Sequence, residues 1–213
     1  MIIAIDGPAA SGKGTLAHRI AEHLDLALLD TGLLYRAVGL KTIRGGAAPD
    51  DMEAATKAAE TLDFSELSDP ELRADAAAQA ASKVGAVPAV RRALLEFQRT
   101  FASDPPEGRQ GAVLDGRDIG TVVCPDADAK IFVSASVEVR AERRLKELRE
   151  RGLEAIHTRV LQEMKERDNR DASRAVSPLE PAEDAFLLDT SELDPDEVFT
   201  EALNFIKSRC QCD

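Results

Sequence analysis

The most informative segment of the chain is Gly7-Pro8-Ala9-Ala10-Ser11-Gly12-Lys13-Gly14-Thr15. It directly follows an apolar segment, residues 2–6, that predicts a β-strand, and it directly precedes a segment with apolar residues four apart, typical of a helix. A glycine-rich loop between a strand and a helix is a P-loop, in which backbone N–H groups and the helix N-terminus bind phosphate. Lys13 can reach the β- and γ-phosphates of a nucleotide, so residues 7–15 predict a nucleotide site.

The loop departs from the commonest P-loop at one position, because Gly14 stands where serine or threonine usually follows the lysine. The hydroxyl of Thr15, one place later, is therefore the predicted ligand of Mg²⁺, directly or through a water. The chain has no Asn-Lys-x-Asp segment of the kind that binds guanine, which argues against a GTPase.

Strand and helix patterns alternate along the rest of the chain, as in α/β proteins with a mostly parallel sheet. Five strands are predicted, at residues 2–6, 26–29, 112–114, 130–133 and 185–188. Two charged helices are predicted near residues 136–151 and 153–168. We therefore expect residues 1–213 to form one P-loop domain, a five-stranded parallel sheet with helices on both faces.

Two segments are expected to stand apart from this core. Residues 45–82 are rich in alanine and poor in β-branched residues, which predicts a small, partly helical insert on the core. Residues from about 150 to 174 carry closely interleaved charges and little apolar surface, and we expect them to form a mobile lid.

The charge distribution limits the classes of partner. The net charge of −12 argues against binding of DNA or RNA polymers. Residues 140–174, however, contain eleven Lys or Arg against eight Asp or Glu, which suits a small polyanion such as a nucleotide. A solvated helix face is the alternative, and Arg140, Arg143 and Arg144 are expected to form such solvated pairs with nearby glutamates.

The remaining composition indicates a cytoplasmic protein. No apolar run is long enough to span a membrane, and residues 2–6 lack the basic segment of a signal peptide. Three cysteines, of which Cys210 and Cys212 lie in the C-terminal tail, do not form a disulfide framework. No exposed apolar seam predicts a dimer, so we expect a monomer.

Arginines recur near the predicted ends of strands and helices, and arginine binds phosphate through two parallel hydrogen bonds. They are Arg36, Arg91, Arg117, Arg167, Arg170 and Arg174. A P-loop followed by such arginines favours a kinase with a phosphorylated acceptor. A kinase of an alcohol such as shikimate and a non-catalytic nucleotide-binding protein remain as alternatives.

Three further motifs accompany the P-loop. They are Asp30-Thr31-Gly32-Leu33-Leu34-Tyr35-Arg36, Asp115-Gly116-Arg117-Asp118-Ile119-Gly120-Thr121-Val122-Val123 and Lys165-Glu166-Arg167-Asp168-Asn169-Arg170-Asp171. In this order the four motifs resemble the bacterial cytidylate kinase family, and the resemblance covers nearly the whole chain. It implies transfer of a phosphoryl group from ATP, with Mg²⁺, to CMP and also to dCMP; UMP is an alternative acceptor.

The resemblance also implies a role for each matching residue. The acceptor phosphate matches Thr31, Arg36 and Arg117, and the cytosine site matches Ser82, Arg91 and Asp118. The lid that touches the sugar and the transferred phosphate matches Arg167, Asp171 and Arg174. Catalytic roles are thereby expected for Lys13, Arg117, Arg167 and Arg174, and residues 7–15 are expected to bind ATP.

The chemistry of the residues agrees with these roles. An arginine can donate to the N3 and O2 acceptors of cytosine, and an aspartate can accept from its N4 amine. A phosphate acceptor is already anionic, so positioning and charge neutralisation suffice without a general base. Three other candidates have simpler interpretations: Asp30 as a helix cap, Asp115 as a buried turn residue and Tyr35 as a packing residue.

Overall fold

The computed structural model describes residues 1–210, and its centre is a five-stranded parallel sheet. The strands are β1 (Ile2–Asp6), β2 (Ala27–Asp30), β3 (Ala112–Gly116), β4 (Ala129–Ser134) and β5 (Phe186–Asp189). Their order is β2-β3-β1-β4-β5, so β2 and β3 lie on one side of β1, and β4 and β5 lie on the other. A crevice opens at the carboxyl end of β1, where the strand order reverses. All five predicted strands are confirmed, with ends that differ by at most two residues.

Helices cover both faces of this sheet because alternate strand residues point to opposite sides. Ile3 and Ile5 pack with α1 (Lys13–His23) and α8 (Pro195–Cys210) on one face. Ala4 and its neighbours in β2 and β3 pack with α5 (Pro88–Ser103) on the other face. The predicted α/β architecture is confirmed. No helix among residues 1–210 is long and apolar enough to cross a membrane.

The segment predicted as an insert contains helices and no strand. After α2 (Thr31–Arg44) come α3 (Met52–Glu60), two short 3₁₀ segments, Phe64–Ser68 and Pro70–Arg73, and α4 (Asp75–Val84). Helix α4 packs directly against α2. This contact brings residues of α2, which precedes the insert, and of α4, at the C-terminal end of the insert, to the same crevice.

Two charged helices lie over the P-loop. They are α6 (Val137–Glu150) and α7 (His157–Ala172), and α7 begins and ends about four residues later than the sequence predicts. An apolar cluster that includes Ala141 and Met164 joins the two helices and contacts Ala9 and Ala10 of the P-loop. The α6–α7 hairpin is therefore held against the loop by apolar contacts as well as by charge.

The prediction of solvated pairs on α6 is wrong for two arginines. Arg140 is buried and binds Asp168 of α7, and Arg143 donates to the carbonyl of Thr190 at 2.6 Å. Arg144 does pair with Glu147, at 2.7 Å, and also with Asp75 of α4. Fork-shaped guanidinium groups can satisfy several acceptors at once, so burial of these side chains leaves few donors unused.

Candidate active site

The P-loop joins the carboxyl end of β1 to α1, which begins at Lys13. Lys13 Nζ lies 3.2 Å from Asp115 Oδ1 at the end of the neighbouring strand β3. Burial lowers the pKa of Lys13 and raises the pKa of Asp115, and the ion pair opposes both shifts. Lys13 thus has one carboxylate counter-ion and faces the crevice into which phosphates would bring further negative charge.

Gly14 leaves room for the close approach of Asp115. A Cβ atom at Gly14 would lie 3.3 Å from Asp115 Oδ2, which is closer than an ordinary contact. Thr15, by contrast, is exposed on α1 and lines a different cavity, together with Arg19, Arg143 and Thr190. The structure therefore does not bring Thr15 into the cavity of Lys13 and Asp115, and Mg²⁺ binding by Thr15 stays a prediction.

A cavity of about 240 Å³ opens beside Lys13, between the sheet, α2, α4 and α7. Its lining includes every residue that the sequence predicts for the acceptor site. They are Thr31, Arg36, Ser82, Arg91, Arg117, Asp118, Arg167, Asp171 and Arg174. Asp30, Tyr35 and Asp115 also line it. Residues from six separate segments of the chain thus meet in one cavity.

An arginine–aspartate pair forms one end of this cavity. Arg91 Nη2 lies 2.5 Å from Asp118 Oδ2, and both side chains are buried. The Arg91 guanidinium also lies over the ring of Tyr35, 5.3 Å from its centroid, and donates to the Gly85 carbonyl. Tyr35 is partly buried and packs against Arg91, in agreement with its simpler interpretation as a packing residue. The pair presents donors and an acceptor side by side.

The other end of the cavity is a cluster of arginines around one acid. Asp171 accepts from Arg117 Nε at 3.2 Å and from Arg174. Burial raises the pKa of Asp171, but the Arg117 and Arg174 charges outweigh it and hold the pKa below its usual range. Burial and then the Arg117 charge lower the pKa of Arg167 to about 10. Arg36 lines the same end of the cavity. Together with Arg117, Arg167 and Arg174 it makes four arginines around one acid, and this net positive charge suits phosphate.

The start of α2 contributes neutral polar groups. The Thr31 hydroxyl donates to the Asp115 carbonyl at 2.8 Å, which joins α2 to β3. Asp30 accepts from the Gly32 N–H at 2.9 Å and so caps α2, as its simpler interpretation predicts, while also lining the cavity. Ser82 Oγ lies near Asp171 and accepts from Arg170 Nε at 3.3 Å.

Sequence reasoning missed several residues that support the site. Arg143 donates to the Ser11 carbonyl of the P-loop at 3.4 Å, and Arg140 donates to the Ala9 carbonyl at 3.3 Å. Their spacing of three residues, which places them on one side of α6, was the available signal. Asp6 accepts hydrogen bonds from the turn after β3, and no local pattern indicated that contact.

A parallel sheet with a P-loop at its crevice and an arginine-lined cavity beside the loop defines a P-loop kinase. Shikimate kinase from Bacteroides thetaiotaomicron shares this fold, with a TM-score of 0.52, 11% sequence identity, and coverage of 100% of this chain and 99% of that chain. At this identity the likeness concerns the fold alone.

Residues 3–208 match the family model described as cytidylate kinase. A cytidylate kinase from Paramagnetospirillum magneticum is 62% identical over 208 residues, which cover 98% of both chains. A cytidylate kinase from Rhodospirillum rubrum is 59% identical over 211 residues, 99% of both chains. The chain belongs to the cytidylate kinase family.

Proposed function

We propose that this protein transfers the γ-phosphoryl group of ATP to CMP, giving CDP and ADP, and that dCMP is a second acceptor. The observation that carries the proposal is the cavity beside Lys13, with the Arg91–Asp118 pair at one end and four arginines at the other. The family membership supports the same reaction. A nucleoside monophosphate has the matching pattern, a polar base at one end and a phosphate at the other.

The Arg91–Asp118 pair is the proposed recognition site for cytosine. Arg91 supplies donors for N3 and O2, and Asp118 supplies an acceptor for the N4 amine. Uracil carries a carbonyl oxygen where cytosine carries that amine, so it would face the Asp118 carboxylate with a lone pair. Arg91 Nε is buried and makes no hydrogen bond within the described residues, so it has a donor to offer. CMP is therefore the preferred acceptor over UMP.

The arginine cluster is the proposed site of the acceptor phosphate and of the phosphate in transfer. Arg36, Arg117 and Thr31 surround the acceptor phosphate, while Arg167 reaches it from α7 and Arg174 from the segment just after α7. The Nε atoms of Arg167 and Arg174 are buried without a hydrogen-bond partner in residues 1–210. A bound phosphate would supply acceptors for both and reduce the repulsion among the guanidinium groups.

ATP is the proposed donor, and residues 7–15 hold its phosphates with Lys13 at the β- and γ-positions. No group of three or more acidic, histidine or cysteine side chains that could hold a metal occurs among the described residues. A Mg²⁺ ion fits here because it usually binds through substrate phosphates and one or two protein oxygens. The Thr15 hydroxyl is the proposed contact for such an ion, which would supply charge neutralisation at the phosphates.

The chain's own residues then act by position and charge. The acceptor phosphate oxygen is already ionised, so no side chain needs to remove a proton. Lys13, Arg117, Arg167 and Arg174 bring the two phosphates into line and stabilise charge on the transferred group. We further propose that residues 45–82 form an acceptor-side insert and residues 150–174 a lid within one monomeric domain.

Release of ADP with a panel of acceptors tests this function. CMP and dCMP are expected to support turnover, with UMP weaker by at least about tenfold, and AMP and shikimate inactive. The Lys13→Ala variant is the control for contaminating kinases. Turnover with shikimate in place of CMP would indicate an alcohol kinase, and binding of ATP with no turnover would indicate a nucleotide-binding protein without activity.

A further inference from the structure

Asp6 is the last residue of β1 and directly precedes the P-loop, yet its side chain serves a different segment. It is 5% exposed, and both of its carboxylate oxygens accept backbone hydrogen bonds. Ile119 N–H donates to Oδ1 at 2.8 Å and Gly120 N–H donates to Oδ2 at 2.8 Å. Among the described residues, neither oxygen bonds to residues 7–15.

The two N–H groups belong to the turn Ile119–Val123, which follows Arg117 and Asp118 directly. The first N–H groups of a helical turn have no partner within the turn and are normally capped by the preceding side chain. Asp118 occupies that capping position but makes no such bond. Its carboxylate is instead paired with Arg91 in the acceptor cavity.

We propose that Asp6 is a positioning residue for the acceptor base, because it caps this turn in place of Asp118 and so leaves the Asp118 carboxylate to face the acceptor. This inference rests on CMP being the acceptor. Asp6 thereby affects the recognition of CMP without contacting either substrate.

Gly120 is part of the same arrangement. A Cβ atom there would lie 3.1 Å from Lys130 Cδ and 3.5 Å from Asp6 Oδ2. A side chain would therefore crowd the Lys130 side chain, and one larger than a methyl group would also crowd the Asp6 carboxylate. The absence of a side chain lets the Gly120 peptide reach Asp6, while the Asp118 side chain points into the cavity.

The environment of Asp6 makes the contact sensitive to pH. Burial raises the pKa of Asp6 to about 7, the Gly120 and Ile119 N–H groups oppose the rise, and the Asp118 and Asp115 charges add to it. The Cys124 thiol also interacts with Asp6, and Lys130 lies behind Gly120 with its Nζ bound to Asp184. A proton on one oxygen removes an acceptor, so the turn is fully capped only above about pH 7.

The effect on folding has the opposite sign. Because the pKa of Asp6 is raised from 3.8, the native state keeps a proton that the unfolded state has already released. The contribution of Asp6 to the free energy of unfolding is therefore greatest below pH 3.8 and is lost as the pH rises through about 7. A purely structural role predicts no loss of CMP recognition upon acidification through this range.

The test compares steady-state kinetics of the wild-type enzyme with Asp6→Asn. The asparagine can accept one of the two N–H groups and presents its own N–H₂ to the other. We expect KM for CMP to rise at least about tenfold, with KM for ATP within about twofold. In the wild type, kcat/KM for CMP should fall below about pH 7, and this step should vanish in Asp6→Asn. Titration of the substrate phosphates, near pH 6, remains in both enzymes.

Asp128→Asn is the matched control, because Asp128 also accepts a backbone N–H of β1, that of Ile2 at 2.7 Å, but lies exposed at the opposite end of the strand. It should change neither KM. If Asp6→Asn does not fold, Gly120→Val decides alone, since its branched side chain needs more room than Lys130 and Asp6 leave and it keeps Asp6 itself; the same selective loss of CMP is expected.

Equal rises in KM for CMP and ATP, or no change in either, would overturn the inference for an enzyme that does phosphorylate CMP. A wild-type enzyme that releases no ADP with CMP would overturn the proposed function and this inference together. The two failures are thus distinguished by the wild-type activity.

Discussion

Arg140 holds Asp168 through two parallel hydrogen bonds, from Nη1 at 3.1 Å and from Nη2 at 2.6 Å. The same Nη1 donates to the Ala9 carbonyl of the P-loop at 3.3 Å, and Nε donates to the Ala135 carbonyl at 2.9 Å. One buried guanidinium therefore connects β4, the P-loop and α7. Asp168 lies next to Arg167 on α7, so the pair helps to set which side of that helix faces the acceptor cavity.

Removal of either partner should destabilise the protein. The Arg140 and Asp168 side chains are 6% and 25% exposed, so Arg140→Met or Asp168→Asn should lower the free energy of unfolding by about 1–3 kcal/mol, between the values for surface and buried pairs. Urea unfolding of the two single variants and the double variant gives their coupling energy.

Arg159 and Glu163 provide the control pair for that measurement. They lie on the same helix with Arg159 Nε 2.8 Å from Glu163 Oε1, and the Arg159 side chain is 79% exposed. Their coupling should be at most about 0.5 kcal/mol. A coupling energy for Arg140 and Asp168 no larger than this would contradict the role of the pair in holding α7.

Lys13→Ala should abolish phosphoryl transfer, with kcat at least about 100-fold lower, while the fold survives. The fold is expected to survive because Asp115, left without its counter-ion, has a pKa already raised by burial and can accept a proton. Turnover and circular dichroism are measured together. Lys146→Ala, at an exposed lysine on α6, should leave both unchanged. Near-normal kcat in folded Lys13→Ala would refute the P-loop assignment.

Arg117→Ala should weaken CMP far more than ATP. Arg117 follows β3 at the carboxyl edge of the sheet, and loss of a charged hydrogen bond to phosphate costs about 1.5–3 kcal/mol. Calorimetric titration of each nucleotide measures the difference, with Arg149→Ala on the exposed side of α6 as the control. Equal losses for CMP and ATP would count against a role on the acceptor side.

The segment from Arg167 to Arg174 should open transiently without ligands, although the Arg140–Asp168 pair holds one side of α7, and should be ordered with both nucleotides bound. Arg117, Arg167 and Arg174 crowd around Asp171, and one carboxylate only partly offsets their mutual repulsion. Bound phosphates would supply the missing negative charge and favour closure. In hydrogen exchange, amides of residues 163–176 should exchange quickly in the free enzyme and slow with a bisubstrate analogue. Strong protection in both states would mean a rigid helix.

Much of this molecule could be predicted from short contiguous patterns. Residues 7–15 predict a P-loop because its backbone path, its lysine and its helix start are all local features. The five strands follow from apolar runs bounded by polar residues, and burial of a parallel sheet on both faces makes those runs continuous. Most of the expected acceptor-site residues lie in three continuous motifs, whereas Ser82 and Arg91 lie outside them and come only from the resemblance to the family.

Local sequence patterns therefore suffice for the P-loop and the strands, since each depends on neighbours within a few positions, and the expected acceptor-site residues come from the family resemblance. Tertiary packing, by contrast, sets three contacts: Arg91 pairs with Asp118, Arg140 is buried against Asp168, and Asp6 caps a turn 113 residues away. A charged residue on a helix has the same local pattern whether it faces water or a buried partner. The partner is set by how distant elements pack, and no local periodicity carries that information.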